Sequence, residues 1–123
     1  MIYVLVFVGG IVGALARYYM DRFVKAELGT SLPWGTLAVN LTGSIILGLL
    51  MGAFVKEALS KDELAFVGTG ICGALTTFST FSNETYHLFA TGSSGRAWAN
   101  IIVSIILGVL SLFGAYSFMV AIL

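Results

Sequence analysis

Gly70-Ile71-Cys72-Gly73-Ala74-Leu75-Thr76-Thr77-Phe78-Ser79-Thr80-Phe81-Ser82-Asn83-Glu84-Thr85 is the stretch on which the fold turns. It lies inside an apolar run over 64–90. As one unbroken helix that run would be about 40 Å long at 1.5 Å per residue, against a hydrocarbon core of roughly 30 Å. Tilt can absorb such an excess. A break can do the same, and the residues from Gly70 to Thr77 offer one, because glycines relax the backbone and threonines cap a new helix. The same residues also suit an intact helix whose glycines serve packing. If the helix does break, unwound backbone at that depth must be buried in protein or line a wet cavity, and its carbonyls become ligands for a small cation.

Three more apolar runs flank this one, at 2–20, 34–55 and 97–123, each close to or above the roughly 20 residues that cross a bilayer. The spacing therefore predicts an all-α integral membrane protein, a single transmembrane domain over 1–123 with four spans. Composition agrees: 59% of residues are hydrophobic and 10% charged, where a soluble domain carries roughly a quarter charged residues. A chain this small could not hide that much apolar surface in one core. Charges gather between the runs, with Asp21, Arg22, Lys25 and Glu27 in a first loop closed by Pro33. Lys56, Glu57, Lys61, Asp62 and Glu63 mark a second, and Gly92 to Arg96 a third. Ala14-Leu15-Ala16 faintly resembles a signal-peptidase site, but no basic n-region precedes Ile2, so the first run reads as a membrane helix.

Six Lys or Arg against six Asp or Glu leave no net charge, so there is no basic field for a nucleic acid. The lone Cys72 has no disulfide partner in the chain and no Cys/His cluster for zinc, and reads as an inert thiol. Ser82, Glu84 and His87 share no helical face well and form no triad, and His87 reads as interfacial or loop-facing. With four spans, Lys56 and Lys61 face one compartment. Arg22, Lys25 and Arg96 face the other, and Arg17 stands at the end of the first helix. So small a difference suits insertion in both orientations, with inverted copies pairing, as well as it suits one fixed orientation.

Polar residues recur every four positions along three spans: Thr36, Asn40, Ser44 and Gly48 on the second, Asn100, Ser104 and Gly108 on the fourth, Gly9, Gly13 and Arg17 on the first. Small and hydroxylated residues at this spacing commonly glue membrane helices together. The third span adds the hydroxyls and amides of Ser79, Thr80, Ser82, Asn83 and Thr85, a density that at mid-membrane depth usually faces a cavity or pathway. Phe78 and Phe81, three apart, project on one face. They suit packing, and among donors their positive ring edges also suit an anion. Amide and hydroxyl donors replace part of an anion's water shell, whereas a cation pore more often shows carbonyl or carboxylate rings. The inventory favours a small anion without naming it.

At Gly73 to Ser82, Gly35-Thr36-Leu37-Ala38-Val39-Asn40 and Gly9 to Tyr18, in that architecture, the sequence resembles the Fluc, or CrcB-type, fluoride channels over essentially its full length. The resemblance implies a dual-topology antiparallel homodimer with two pores, exporting fluoride passively across a prokaryotic plasma (inner) membrane and lowering cytoplasmic fluoride. It implies that Asn40, Phe78, Phe81, Ser79, Thr80, Ser82 and Ser104 line the fluoride path and that Arg17, Thr36 and Glu84 stand toward its mouths. It also implies that the third of the four helices is broken into two half-helices around Gly73 to Thr77, and that backbone carbonyls of Gly73 and Thr76, from both subunits, hold a central structural sodium ion. Some relatives carry a tyrosine where Asn100 falls. The rival reading is a small dual-topology multidrug or cation exporter, for which an acidic residue in the first helix is expected and 2–20 has none. An accessory subunit with no transport of its own is a third reading.

Overall fold

The computed structural model describes residues 1–123, all of them in helices or short connections. Helix α1 is Ile2–Leu28, α2 is Trp34–Val55, α3 covers 61–75, α4 is Ser79–Ala90 and α5 is Ser94–Ile122. Helices α3 and α4 make one interrupted crossing, so the segments long and apolar enough to span a membrane are four: Ile2–Leu28, Trp34–Val55, Lys61–Ala90 and Ser94–Ile122.

Three of the four spans are longer than their apolar runs, the second alone matching its own. Helix α1 does not stop at residue 20 but carries Asp21, Arg22, Lys25 and Glu27 in its last two turns, so these are not loop residues. An Asp21–Lys25 ion pair at 2.9 Å joins successive turns, and pairs at that spacing support a helix. The helix ends where Gly29 adopts φ 81°, a conformation that side chains resist. Likewise Lys61, Asp62 and Glu63 are the first turn of α3. There the Ser60 hydroxyl accepts from the Glu63 N–H at 3.2 Å while the Glu63 carboxylate accepts from the Ser60 N–H at 2.8 Å, a reciprocal capping box. Helix α5 begins at Ser94 and takes in Arg96. Charged residues terminate the membrane-embedded part of a helix without terminating the helix.

The third crossing is broken, but not at its glycines. Residues Leu64–Cys72 are wound as a π-helix, with the Gly73 N–H reaching back to the Gly68 carbonyl, and Gly73–Leu75 return to α. The chain leaves helical geometry only at Thr76, with φ −81° and ψ 155°. Gly70 serves packing instead. Helix α1 lies along α3 so closely that a Cβ on Gly9 would overlap the Phe66 carbonyl and one on Gly13 the Ile71 carbonyl. On the other side α2 lies along α5, with Gly48 pressed to the Leu112 backbone. Small residues give such backbone approach its dispersion contacts.

Only 18 of the 123 residues are buried, and Phe7, Phe23, Leu110 and Phe113 stand exposed among many other large apolar side chains. That outer surface is stable against lipid or another protein surface rather than water.

Candidate functional site

The break is held by one side chain from the neighbouring span. Asn40, on α2, accepts from the Thr77 N–H at 2.7 Å and donates through Nδ2 to the Thr77 carbonyl at 3.0 Å. Both polar ends of one amide are matched to the two backbone groups of one residue, which fixes the orientation of the amide. Either side of this clamp, local bonds finish the turn. The N–H and hydroxyl of Thr76 both donate to the Cys72 carbonyl, at 3.1 and 2.9 Å. The Thr77 hydroxyl accepts from the Thr80 N–H at 3.2 Å, covering an orphan donor at the start of α4. Of the two threonines, then, only Thr77 serves the first turn of the new helix, from just ahead of Phe78 at its N-cap, while Thr76 closes the helix before it.

The clamp diverts the Thr77 N–H from the Gly73 carbonyl four residues back, which that amide would serve in a continuous helix. The Thr76 carbonyl accepts no backbone hydrogen bond. A Cβ on Gly73 would meet nothing within 4 Å, so the backbone there is open. No cluster of His, Cys, Asp or Glu could hold a metal ion. Uncharged backbone oxygens are therefore the cation ligands on offer, and they suit a hard ion of low charge.

Two cavities meet at Thr77. A groove of about 460 Å³ is bordered by Asn40, Thr76, Thr77, Phe78, Phe81 and Ser104, with Gly73, Ser44 and Gly108 along it. The rings of Phe78 and Phe81 lie 5.8 Å apart, inclined at 40°. Phe78 is 77% exposed, so a single chain leaves one wall of the groove open. A second cavity of about 230 Å³ is bordered by Arg17, Tyr18, Asp21, Thr36, Thr77 and Thr80. Thr36 is buried and its hydroxyl donates a short hydrogen bond to Glu84. Thus Arg17, Thr36 and Thr80 gather on one side of Thr77, with Glu84 bonded to Thr36, while Asn40, Phe78, Phe81, Ser104, Gly73 and Thr76 border the groove on the other. The polar stripes divide in the same way: Asn40, Ser44, Ser104 and Gly108 face the groove, while Gly9, Gly13 and Gly48 are helix contacts.

Two expected residues stand apart. Ser79 and Ser82 are exposed and border neither cavity, although the Ser79 hydroxyl is 3.4 Å from that of Thr77. His87 is exposed at the first loop, sharing a small cavity with Thr30, Ser31 and Glu84, as a loop-facing residue should. Thr77 is not among the expected site residues, yet it joins both cavities, and its signal in the sequence is its place between Thr76 and Phe78. Asp21 was hidden by its assignment to a loop. One of its carboxylate oxygens pairs with Lys25, and the other is buried without a partner against Gly35 at the start of α2.

Four segments long and apolar enough to cross a membrane, one of them broken beside a groove that Asn40, Thr76 and Ser104 border, describe a multi-pass membrane protein. Comparison with known proteins then gives the family. The chain belongs to the CrcB-like family: the family described as "CrcB-like protein, Camphor Resistance (CrcB)" matches residues 4–116. It is similar to "Fluoride-specific ion channel FluC 1" of Streptomyces avermitilis, with 47% identity over 108 residues, covering 88% of this chain and 87% of that one. It is similar also to "Fluoride-specific ion channel FluC" of Magnetococcus marinus, 47% identical over 104 residues, with 84% and 85% of the two chains covered. The protein of that name from Methanocaldococcus jannaschii is 46% identical over 102 residues, with 83% and 81% covered.

Proposed function

We propose that this chain is the subunit of a fluoride-selective channel that exports fluoride passively and lowers its cytoplasmic concentration. The observation that carries the reading is the Asn40–Thr77 clamp, which sets Phe78 and Phe81 beside a groove that Ser104 and Asn40 also border. Fluoride is small and strongly hydrated, so a selective path must offer close donors that need little reorganisation, yet release the ion. Hydroxyls, an amide and aromatic ring edges are such donors. Arg17 supplies positive charge at the second cavity, from which Thr36 and Thr80 lead inward. Relatives named as fluoride-specific channels support the choice of anion.

The working unit is an antiparallel homodimer with two pores in a prokaryotic plasma (inner) membrane. Support comes from the groove's open wall, from the 77% exposure of Phe78 and from the weak charge bias across the spans. The Gly73 and Thr76 carbonyls, released from helical bonding at the break, would hold a structural sodium ion whose charge neutralises them. Asp21 lies in α1, yet its pairing with Lys25 and its place beyond the apolar run give a proton-coupled exporter no free carboxylate at mid-membrane.

The test is ion flux from proteoliposomes loaded with fluoride or chloride. Rapid fluoride efflux with little chloride efflux is expected. Well-folded protein that passes neither ion would overturn the reading.

A further inference from the structure

Asn100, Thr85 and Thr36 are the buried polar side chains of the chain. Thr36 belongs to the mouth already described. The other two bond to each other across α4 and α5, and Asn100 borders a small apolar pocket rather than the groove.

Their hydrogen bonds have one consistent direction. The Thr85 hydroxyl donates its single proton to the Phe81 carbonyl at 2.7 Å. It can therefore only accept from Asn100, whose Nδ2 approaches it at 2.8 Å. That choice turns Asn100 Oδ1 the other way, where it accepts from the Ser104 hydroxyl at 3.4 Å. The relay runs from Ser104, which borders the groove, through two buried side chains to the backbone of Phe81, which also borders it. The two short bonds are within normal range, that from Asn100 to Thr85 buried and that from Thr85 to Phe81 part-buried, whereas the Ser104 bond is long and weak.

From this, the geometry points to Asn100 as a positioning residue for the ion path, one that touches no ion itself. It fixes where α4 sits on α5, and so where the Phe81 ring stands. It also gives the Ser104 proton a weak resting acceptor, from which the hydroxyl turns to donate to an anion in the groove. The inference rests on reading that groove as the anion path. A purely structural pair would lock two helices together and have no bond toward the groove.

The experiment is fluoride and chloride flux against fluoride concentration for the full-length protein in proteoliposomes, with dimer content and thermal transition measured on the same samples. Asn100→Leu, of similar volume, removes both bonds, and Thr85→Val removes one hydroxyl with little change of shape. Each should lower fluoride flux at least about tenfold, or shift its concentration dependence by that factor, with the dimer retained. The double variant should be no worse than the poorer single one, because both cut the same relay. Thr85→Ser, which keeps the hydroxyl, should recover most of the flux. Fluoride flux and concentration dependence within about twofold of the parent in folded Thr85→Val would overturn the inference, even if Asn100→Leu fails to fold. A parent protein that conducts no fluoride would instead remove the groove reading beneath it.

Discussion

Asn40 holds Thr77 by both of its backbone groups, receiving the N–H at 2.7 Å and giving its own N–H to the carbonyl at 3.0 Å. A side chain on one span thereby takes the place of the helical partners that the next span gives up at its break. The clamp explains how the non-helical backbone that follows the extended Thr76 survives at membrane depth, where an unmatched backbone group would be costly. It also makes one residue both a builder of the break and a wall of the groove.

Replacing Asn40 should therefore harm folding and flux together. Asn40→Ala leaves the part-buried Thr77 N–H and carbonyl without their protein partner, at a cost for each below the about 1–3 kcal/mol of a fully buried group. Asn40→Asp keeps the acceptor but loses the donor to the carbonyl, and adds a negative charge beside an anion path. The alanine variant should show a lower thermal transition, and both should show fluoride efflux reduced by more than the drop in folded protein accounts for. Normal efflux from Asn40→Asp would show that the carboxylate is tolerated and that the groove is not the path.

Phe78 and Phe81 separate packing from conduction. Phe78 is largely exposed in the single chain, so Phe78→Ile removes little from the fold of the subunit. Either Phe78→Ile or Phe81→Ile removes a ring edge from the groove while keeping an apolar side chain. Fluoride flux should fall by on the order of tenfold, equivalent to about 1.4 kcal/mol in the barrier, while crosslinking or size-exclusion still reports the dimer. Parent-like flux from both variants would leave the rings as packing alone.

How much of this could be read from the residues depended on what each signal measures. Apolar runs report where lipid is, and Trp34–Val55 agrees at both ends with its run. They do not report where a helix stops, so Asp21 to Glu27 looked like loop although an ion pair and good helix formers continue α1 to Leu28. The break was legible and falls at Thr76, within the expected Gly70 to Thr77 and at its threonine end rather than at its glycines. Glycine's lack of a side chain serves close packing as readily as unwinding, and only the position of α1 reveals which use Gly70 has. The period of four and the polar segment point to Arg17, Thr36, Asn40, Thr80 and Ser104, which border one or other of the two cavities. The partner of Asn40 was not legible, because a contact between residues 40 and 77 has no local signature. The same holds for Asn100 and Thr85.

The glycines of α1 give a test of packing that is independent of conduction. A methyl group on Gly13 would overlap the Ile71 carbonyl, which is backbone and cannot rotate away, whereas one on Gly10 meets nothing within 4 Å. Gly13→Ala should thus push α1 from α3 and lower stability by about 1–3 kcal/mol, the usual range for overpacking. Gly10→Ala should be neutral or stabilise by up to about 1 kcal/mol through its better helix propensity. Thermal unfolding of the two variants in the same detergent is the comparison. Equal transitions would mean that α1 and α3 are not in backbone contact.

The proposed sodium site makes a prediction about cations rather than side chains. Backbone carbonyls at Gly73 and Thr76 cannot be removed by substitution, but the ion they would hold can be exchanged. If an inverted second copy supplies matching carbonyls, the ion neutralises a cluster of oxygen dipoles and ties the two subunits together. Exchanging all sodium for a larger organic cation should then lower the dimer fraction in detergent or slow fluoride efflux from vesicles, and sodium added back should restore both. The cation should not itself cross, so labelled sodium should stay inside vesicles that lose their fluoride. Assembly and flux indifferent to the cation would leave the Gly73 and Thr76 carbonyls to water or to donors on the partner. Sodium efflux matching that of fluoride would make the ion cargo, and the broken span would then serve two pathways instead of one pathway and one fastening.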